Sequence, residues 1–277
     1  MKLPINIQER PLSYSSMKHF RKSPKHYIQY ITSPREYKPE WAVGSGFELK
    51  LYSHVYGKPE MFDGGIFPYV KPNLRSNAGK EEWEQLKKQA QGKIMLDQDQ
   101  LKKIEAMMEN TLACDAMMQY VDSIKKDQIK LKWTDRKTGI PFIGYADAEG
   151  DAFGEDWVFE IKTSKSADPR EFVRDFIKFD YHMQIASYSE GYHKLRYRFP
   201  NFAVLVFETS EPYNCSPFMI EGRDLEKFKE EWRASVDAFK FCCDNELFHQ
   251  GYDFLLQTMD YFALRQPGYY KPRFGAQ

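Results

Sequence analysis

No apolar run in this chain approaches the ~18 residues that a membrane span requires. The opening stretch, residues 1–10, lacks the apolar core of a signal peptide. A cytoplasmic protein with no membrane partner is therefore expected. Cysteine is scarce: Cys114, Cys215, Cys242 and Cys243 are all there is. None falls in a Cys-x-x-Cys pair, and the adjacent Cys242 and Cys243 are poorly placed to bridge each other. Zinc and iron–sulfur sites need better-spaced ligands, so reduced thiols are expected. Net charge is missing too, with 40 Lys and Arg against 40 Asp and Glu. A polyanionic partner would have to meet local positive surface instead. There is no internal repeat and no disordered linker.

What the chain does have is core-forming material. Its 277 residues are 42% hydrophobic and 16% aromatic, enough for one substantial core with a helical elaboration. Amphipathic or helical composition marks 13–31, 45–56, 79–91, 97–122, 169–193 and 223–247, with Asp97 and Asp168 as helix starts. A Pro- and Gly-containing loop is expected over 57–77. Three short strands are expected within 128–163, then strands at 201–209 and 215–221. Strands clustered mid-chain between helices give an α/β fold with a mixed sheet flanked by helices. We read 1–277 as a single domain: a mainly helical part (1–125), a sheet core (126–222), and a C-terminal helix and tail (223–277). The tail carries Tyr269, Tyr270 and Phe274.

The stretch from Gly144 to Tyr188 is the most informative. An acidic residue, any residue and a lysine occur in that order four times, starting at Glu36, Glu48, Asp135 and Glu160. Glu160 differs in its setting, inside the apolar run Trp157-Val-Phe-Glu-Ile-Lys162. On a strand, Glu160 and Lys162 share one face while Phe159 and Ile161 share the other. Charges on a buried strand need a partner or a metal, because burying them alone is costly. A structural salt bridge would satisfy that demand as well as a metal would. Phe142-Ile-Gly-Tyr-Ala-Asp147-Ala148 reads as a second strand. The Gly- and Asp-rich stretch 149–156 reads as the loop that folds it back, bringing Asp147 toward Glu160. Gln184 and Tyr188 lie four apart and share a helix face. Two carboxylates and a lysine at a hairpin can hold a hard cation and activate water, the chemistry of metal-assisted phosphodiester hydrolysis.

The order Asp147, Glu160-x-Lys162, Gln184-x-x-x-Tyr188 resembles the PD-(D/E)XK nuclease superfamily. It is most similar to the RecE (exonuclease VIII) and lambda-exonuclease-like recombination exonucleases of phage and prophage. Further segments carry the resemblance: Ser13 to Tyr27, Gly44-Ser-Gly-Phe-Glu48, Trp133 to Pro141, Tyr181-His-Met-Gln184 and Phe207 to Tyr213. The resemblance implies a restriction-endonuclease-like core with helical N-terminal elaboration. It implies Mg²⁺, with Mn²⁺ as substitute, held by Asp147, Glu160, the backbone carbonyl of Ile161 and Glu48. Relatives commonly have His at the position of Glu48, which otherwise reads as a solvent-facing helix residue or a loose partner of Lys50. They often have a basic residue where this chain has Tyr145. Lys162 would orient the water or stabilise developing charge, with Gln184 and Tyr188 positioning the lysine and the phosphate. The implied activity is 5′ to 3′ digestion of linear double-stranded DNA, leaving single strands for an annealing protein, by a ring-shaped homo-oligomer.

Basic residues cluster at 18–26 and again along Lys162, Lys165, Arg170, Arg174, Lys178, Lys194, Arg196 and Arg198. Of these, Lys165, Arg170, Arg174 and Lys178, with His182, are the expected DNA contacts. Alternatives remain: an endonuclease or single-strand exonuclease of the same superfamily, a catalytically silent DNA-binding module, or an unrelated protein with a structural ion pair.

Overall fold

The structure, a computed structural model, describes residues 9–34, 41–196 and 199–251. Ten helices are described: α1 (Tyr14–Lys22), α2 (Pro24–Thr32), α3 (Ala42–Val55), α4 (Pro59–Gly65), α5 (Asn77–Ala90), α6 (Gln98–Leu112), α7 (Asp115–Val121), α8 (Pro169–Lys178), α9 (Tyr181–Arg196) and α10 (Gly222–Asp244). The strands are β1 (Ile66–Tyr69), β2 (Ile94–Asp97), β3 (Ile124–Thr134), β4 (Pro141–Ala152), β5 (Glu155–Ser164), β6 (Asn201–Glu208) and β7 (Cys215–Met219). The expected aromatic tail and Arg198, like the motif at Glu36, lie outside the described residues.

β3 to β7 form a five-stranded sheet in chain order. Only β5 and β6 run parallel; the other neighbours are antiparallel. A parallel pair needs a long crossover, and α8 and α9 supply it. This is the expected mixed α/β sheet. Both of its faces are covered, so β6 reads as an unbroken apolar run. Phe202, Val204 and Val206 join a core with Trp232, Phe239 and the α9 side chains. Ala203, Leu205 and Phe207 join a second core with Phe47, Leu51 and Ile104. Among the described residues no helix is long and apolar enough to cross a membrane. All four cysteines are free.

Three expected helices are each broken in two. The 13–31 segment stops at Ser23, whose hydroxyl caps α2 by accepting from the His26 N–H, with Pro24 in the first helical turn. Proline has no N–H to continue α1 and suits a helix start. The 97–122 segment breaks at Ala113 and Cys114, although Asp97 caps α6 as expected, in a reciprocal box with Gln100. The 169–193 segment breaks at Asp180, which takes a left-handed φ of 59°. The 57–77 loop holds α4 and β1, and β1 pairs in parallel with β2, which was not anticipated. The presumed 149–156 loop is mostly strand: the hairpin turns on Phe153 and Gly154 alone, with φ of 58° and 77°. Such two-residue turns match the twist of the strands they join.

α9 lies against β3, β4 and α10. It comes close at Gly144, where an added Cβ would stand 2.6 Å from Cε1 of Tyr188. We expect Gly144→Ala to destabilise the fold by about 1–3 kcal/mol through overpacking. Gly64→Ala, with nothing within 4 Å of its Cβ, should be neutral or mildly stabilising. Urea unfolding midpoints measure both; an unshifted midpoint for Gly144→Ala would show that Tyr188 yields without cost.

Candidate active site

β4 and β5 part company at one point. Their register runs from Ala152 opposite Glu155 to Ala148 opposite Phe159 and goes no further. From there β5 continues beside β6 alone, and the N-terminal half of β4 stays beside β3. The next residues on the two parting strands are Asp147 and Glu160. A backbone donor that loses its ladder partner needs another. The Ile161 N–H finds it in the Asp147 carboxylate, 2.8 Å away. Lys162 Nζ then donates to Glu160 at 2.8 Å and to Asp147 at 3.3 Å. Its ammonium also sits 5.3 Å from the centroid of the Tyr181 ring. The fork thus brings Asp147, Glu160 and Lys162 together.

The charges perturb one another strongly. Burial pushes Glu160 well above the usual carboxylate range, and the neighbouring Asp147 charge adds to the push, opposed by Lys162. For Lys162, burial works against the ammonium, but Asp147 and Glu160 more than offset it and hold its pKa above that of an ordinary lysine. Glu160 is 1% exposed, and its Oε1 has no hydrogen-bond partner. Buried polar atoms are rarely left that way.

A third carboxylate arrives from α3. The Cβ that Gly44 lacks would stand 2.9 Å from Thr163 Oγ1, so glycine lets this helix sit close against β5. Glu48 accepts from Tyr52 Oη at 3.2 Å and from Gln128 Nε2 at 2.9 Å. Tyr52 Oη also donates to the Asp147 carbonyl at 2.7 Å, tying helix to strand. Burial first, and then Asp147, raises Glu48 to about 7. Glu48 is therefore half-buried rather than free in solvent, and Lys50 bridges to Glu105 instead of pairing with it. A cavity of about 380 Å³ opens here, lined by Trp41, Gly44, Ser45, Glu48, Ile161, Lys162, Thr163 and Tyr181.

These residues fit a hard divalent cation. The donors are oxygens, two carboxylates are held in costly protonation states, and Glu160 Oε1 waits unpartnered. Among the described residues no three acidic, His or Cys side chains already stand as a ligand cluster; Lys162 occupies the space between Asp147 and Glu160. Glu48, Asp147, Glu160 and the Ile161 carbonyl are the groups that could hold the ion.

Other expectations fare differently. Gln184 and Tyr188 meet: the Gln184 amide donates to the Tyr188 hydroxyl at 3.2 Å. Burial and then the Glu160 charge raise the Tyr188 pKa, so its phenol lies within the field of the fork. Gln184 makes no hydrogen bond to Lys162 among the described residues; the carboxylates and Tyr181 position the lysine. His182 is not placed to contact DNA. It is 4% exposed and faces Glu231 at 3.4 Å, against Phe228. Burial opposes the ionisation of Glu231, but His182 and Arg21 outweigh it and hold this carboxyl at about 2. Arg170 is exposed but already bidentate on Asp168. Lys165, Arg174 and Lys178 are exposed on the segment after β5.

Tyr52, Gln128, Tyr181 and Trp41 were missed. Tyr52 had a signal, since it follows Glu48 by four residues and shares its helix face. Tyr181 lay within a quoted motif but received no role. Gln128 had none. It adopts a left-handed φ of 50° inside β3, between the pairs Asp127–Ala148 and Ile129–Ala146 and so across from Asp147. A non-glycine residue there stores about 1–3 kcal/mol of strain, a pattern concentrated at functional sites.

A forked mixed sheet carrying Asp, Glu-x-Lys and a flanking helical carboxylate defines the PD-(D/E)XK class of protein. The chain belongs to the family described as "PDDEXK-like domain of unknown function (DUF3799)", whose model matches residues 13–250. Among solved structures it is similar to a protein from Eubacterium rectale provisionally described as an exonuclease. That likeness has a TM-score of 0.57 at 13% identity and covers 94% of each chain, and it shows the fold. A second structure, SSO0001, is 14% identical over 70% of this chain and 84% of its own, with a TM-score of 0.27, and carries no argument. No curated protein matches the chain.

The perturbed carboxylates predict how stability follows pH. Glu48 titrates at about 7 in the fold against 4.5 for the free side chain, so the metal-free fold binds this proton more tightly than the unfolded chain does. The stability so contributed is full below about 4.5 and is lost as pH rises through about 7. A divalent cation takes the deprotonated carboxylates and cancels the loss. Calorimetry in EDTA and in Mg²⁺ should show a Tm increment that grows from pH 5 to pH 8. The growth should shrink in Glu48→Gln; an increment flat with pH would remove Glu48 from the cluster.

Proposed function

We propose that this chain is a Mg²⁺-dependent deoxyribonuclease of the RecE type, an exonuclease acting on the ends of linear double-stranded DNA. The carrying observation is the fork, where Asp147, Glu160 and Lys162 converge beside a cavity that Glu48 also lines. Family membership supports the reaction class. The order of motifs, together with the likeness over 94% of the chain to the Eubacterium rectale protein, supports the exonuclease branch. Digestion from 5′ ends, delivery of 3′ strands to an annealing protein and a ring-shaped homo-oligomer complete the reading.

In this mechanism Asp147, Glu160 and Glu48, with the Ile161 carbonyl, would hold Mg²⁺, and Mn²⁺ could replace it. The bound ion lowers the pKa of water and offsets charge on the phosphate. Asp147 accepts the Ile161 N–H, and because a strand residue's own N–H and C=O point to the same side, the Ile161 carbonyl opens toward the same gap between the strands. Lys162 stays cationic and donates toward the attacked phosphate or the attacking water, stabilising charge as it develops. Tyr188, held by Gln184, walls the Glu160 side and keeps water from the buried carboxylate. Tyr52 and Gln128 hold Glu48 in its rotamer. Exposed Lys165, Arg174 and Lys178 supply local positive potential in a chain with none overall.

End-labelled linear duplex, nicked circle and single strand, each with and without Mg²⁺, test this reading. Cleavage should need the metal and start at duplex ends; equal attack on circles would make it an endonuclease. Lys162→Ala should fold, bind metal and lose about 10²–10³ in kcat, the penalty for removing one transition-state donor. Wild-type rates in that variant would refute the assigned role.

Glu48→Gln should raise the Mg²⁺ concentration for half-maximal cleavage. Glu48→His should restore much of the activity, with a shift toward Mn²⁺, because imidazole is the softer ligand. A Glu48→Gln metal titration that overlays the wild type would leave Glu48 without a ligand role.

A further inference from the structure

The segment Tyr181-His-Met-Gln184 and the basic stretch 18–26 meet at the junction of α8 and α9. α8 ends at Phe179, and Asp180 turns the chain into α9 with a left-handed φ of 59°. A helix leaves its last carbonyls without partners of its own, and cations are favoured near that end. Two donors on α1 meet the Phe179 carbonyl: Tyr14 Oη at 2.6 Å and Lys18 Nζ at 2.8 Å. Burial and then the Asp180 charge hold the Tyr14 phenol above its ordinary pKa, so it stays a donor. Arg21 reaches the Asp180 carboxylate at 3.5 Å and one oxygen of Glu231 on α10 at 2.5 Å. Tyr14, Lys18 and Arg21 stand at i, i+4 and i+7 and so share one face of α1. On the far side of the turn, His182 faces the other oxygen of Glu231 at 3.4 Å. α1 and α10 therefore both close on residues 179–182. Within that stretch Tyr181 reaches the fork, its ring centroid 5.3 Å from Lys162 Nζ.

We infer that α1 is a clamp on this junction, and that Tyr14, Lys18 and Arg21 are positioning residues that hold the Tyr181 ring against the Lys162 ammonium. The effect on catalysis rests on the nuclease reading and deepens it; the clamp itself does not depend on that reading. A non-glycine residue persists at left-handed φ only where its surroundings hold it, and at Asp180 α1 supplies much of that hold. Tyr181, Gln184 and Tyr188 follow in successive turns on one face of α9. The angle at which the junction releases the chain therefore sets where all three stand. The attraction between ring and ammonium weakens as the ring tilts or withdraws. Lys162 is also anchored by Glu160 and Asp147, so loosening the junction shifts the ammonium without releasing it. The groups that could hold the ion lie on α3, β4 and β5, not on α1, α8 or α9. Disturbing the clamp should misplace the lysine and leave metal affinity alone.

Nuclear magnetic resonance reads the ring directly. The full-length, metal-free protein carries ¹³C-labelled lysine, and the Lys162 ε-methylene signal is the one that vanishes in Lys162→Arg. A methylene over an aromatic face is shifted upfield, and Tyr181→Leu gives its position without the ring. Tyr14→Phe, which leaves Lys18 on the carbonyl, should move the wild-type signal a small part of the way to that position. Adding Lys18→Met, which removes the second donor and keeps the side-chain body, should move it most of the way. Adding Lys18→Arg instead, which keeps a cationic donor, should leave it where Tyr14→Phe alone does. In Mg²⁺, Tyr14→Phe with Lys18→Met should lose about 10²-fold in kcat on linear duplex, the cost of a misplacement of about 1 Å. KM and the Mg²⁺ concentration for half-maximal cleavage should not change. The single Tyr14→Phe variant decides the question if the double variant does not fold. The clamp is overturned if the Lys162 signal keeps its wild-type position in these variants, or if kcat holds while the signal moves. It is overturned too if KM and the metal requirement rise along with the loss in kcat, as general loosening of the fold would produce. A wild type that cuts no DNA but shows the full pattern of shifts would remove the nuclease reading and leave the clamp standing.

Discussion

Everything at this site follows from one buried ammonium. Lys162 bridges Asp147 and Glu160 at the point where β4 and β5 separate. Taking a carboxylate as deeply inside as Glu160 is expensive, several kcal/mol per ion even after relaxation. The fold meets that expense by placing opposite charges on the same strand face two residues apart. The fork exposes the Ile161 N–H, and Asp147 takes it up. If the strands stayed zipped, that donor would face a backbone carbonyl and Asp147 would have no reason to turn inward. Divergence of the sheet and convergence of the charges are the same event.

The sheet was legible because its pattern is simple. β6 is apolar from Phe202 to Phe207, as a strand buried on both faces must be, and β5 from Trp157 to Lys162 is apolar except at Glu160 and Lys162. The fork residues were legible for the complementary reason, since a charge in such a run is out of place. What was not legible depended on single-residue backbone events. Asp180 and Gln128 adopt left-handed φ, and nothing in either side chain announces it. The break at Ser23 and Pro24 could have been read from the proline, whose missing N–H ends one helix and starts the next. β1 and β2 are four residues each, too short for alternation to stand out from a loop. The 149–156 stretch misled through its glycines and aspartates. Gly150 is there because a Cβ would meet the Ser123 carbonyl at 2.1 Å, a packing demand rather than a turn.

Local composition was a poorer guide to charge than to fold. The basic segment 18–26 is largely consumed within the protein. Lys18 caps the Phe179 carbonyl, and Arg21 binds Glu231 and Asp180. His182 joins that network beneath α10 instead of meeting solvent. A sequence shows where cations are, but only the fold shows which already have partners. The cations at Lys165, Arg174 and Lys178, by contrast, stay exposed as the basic run suggested.

The charge count at the fork explains why a dication belongs there. Asp147, Glu160 and Glu48 are three carboxylates, and Lys162 is their one close cation, which leaves an excess of two negative charges when all are ionised. In a low-dielectric pocket that excess cannot persist, so without metal the cluster takes up protons. Burial first, and the Asp147 charge with it, raises both Glu48, to about 7, and Glu160. A divalent cation held by these carboxylates would supply the two missing positive charges at once, with the protons released. It need not displace Lys162, because Glu160 Oε1 is the oxygen that the lysine leaves unused. Glu160 would thus keep one oxygen for the ammonium and have the other to offer to an ion. The carboxylate that looks unsatisfied in the metal-free fold is the group that would let a metal and a cationic side chain stand side by side.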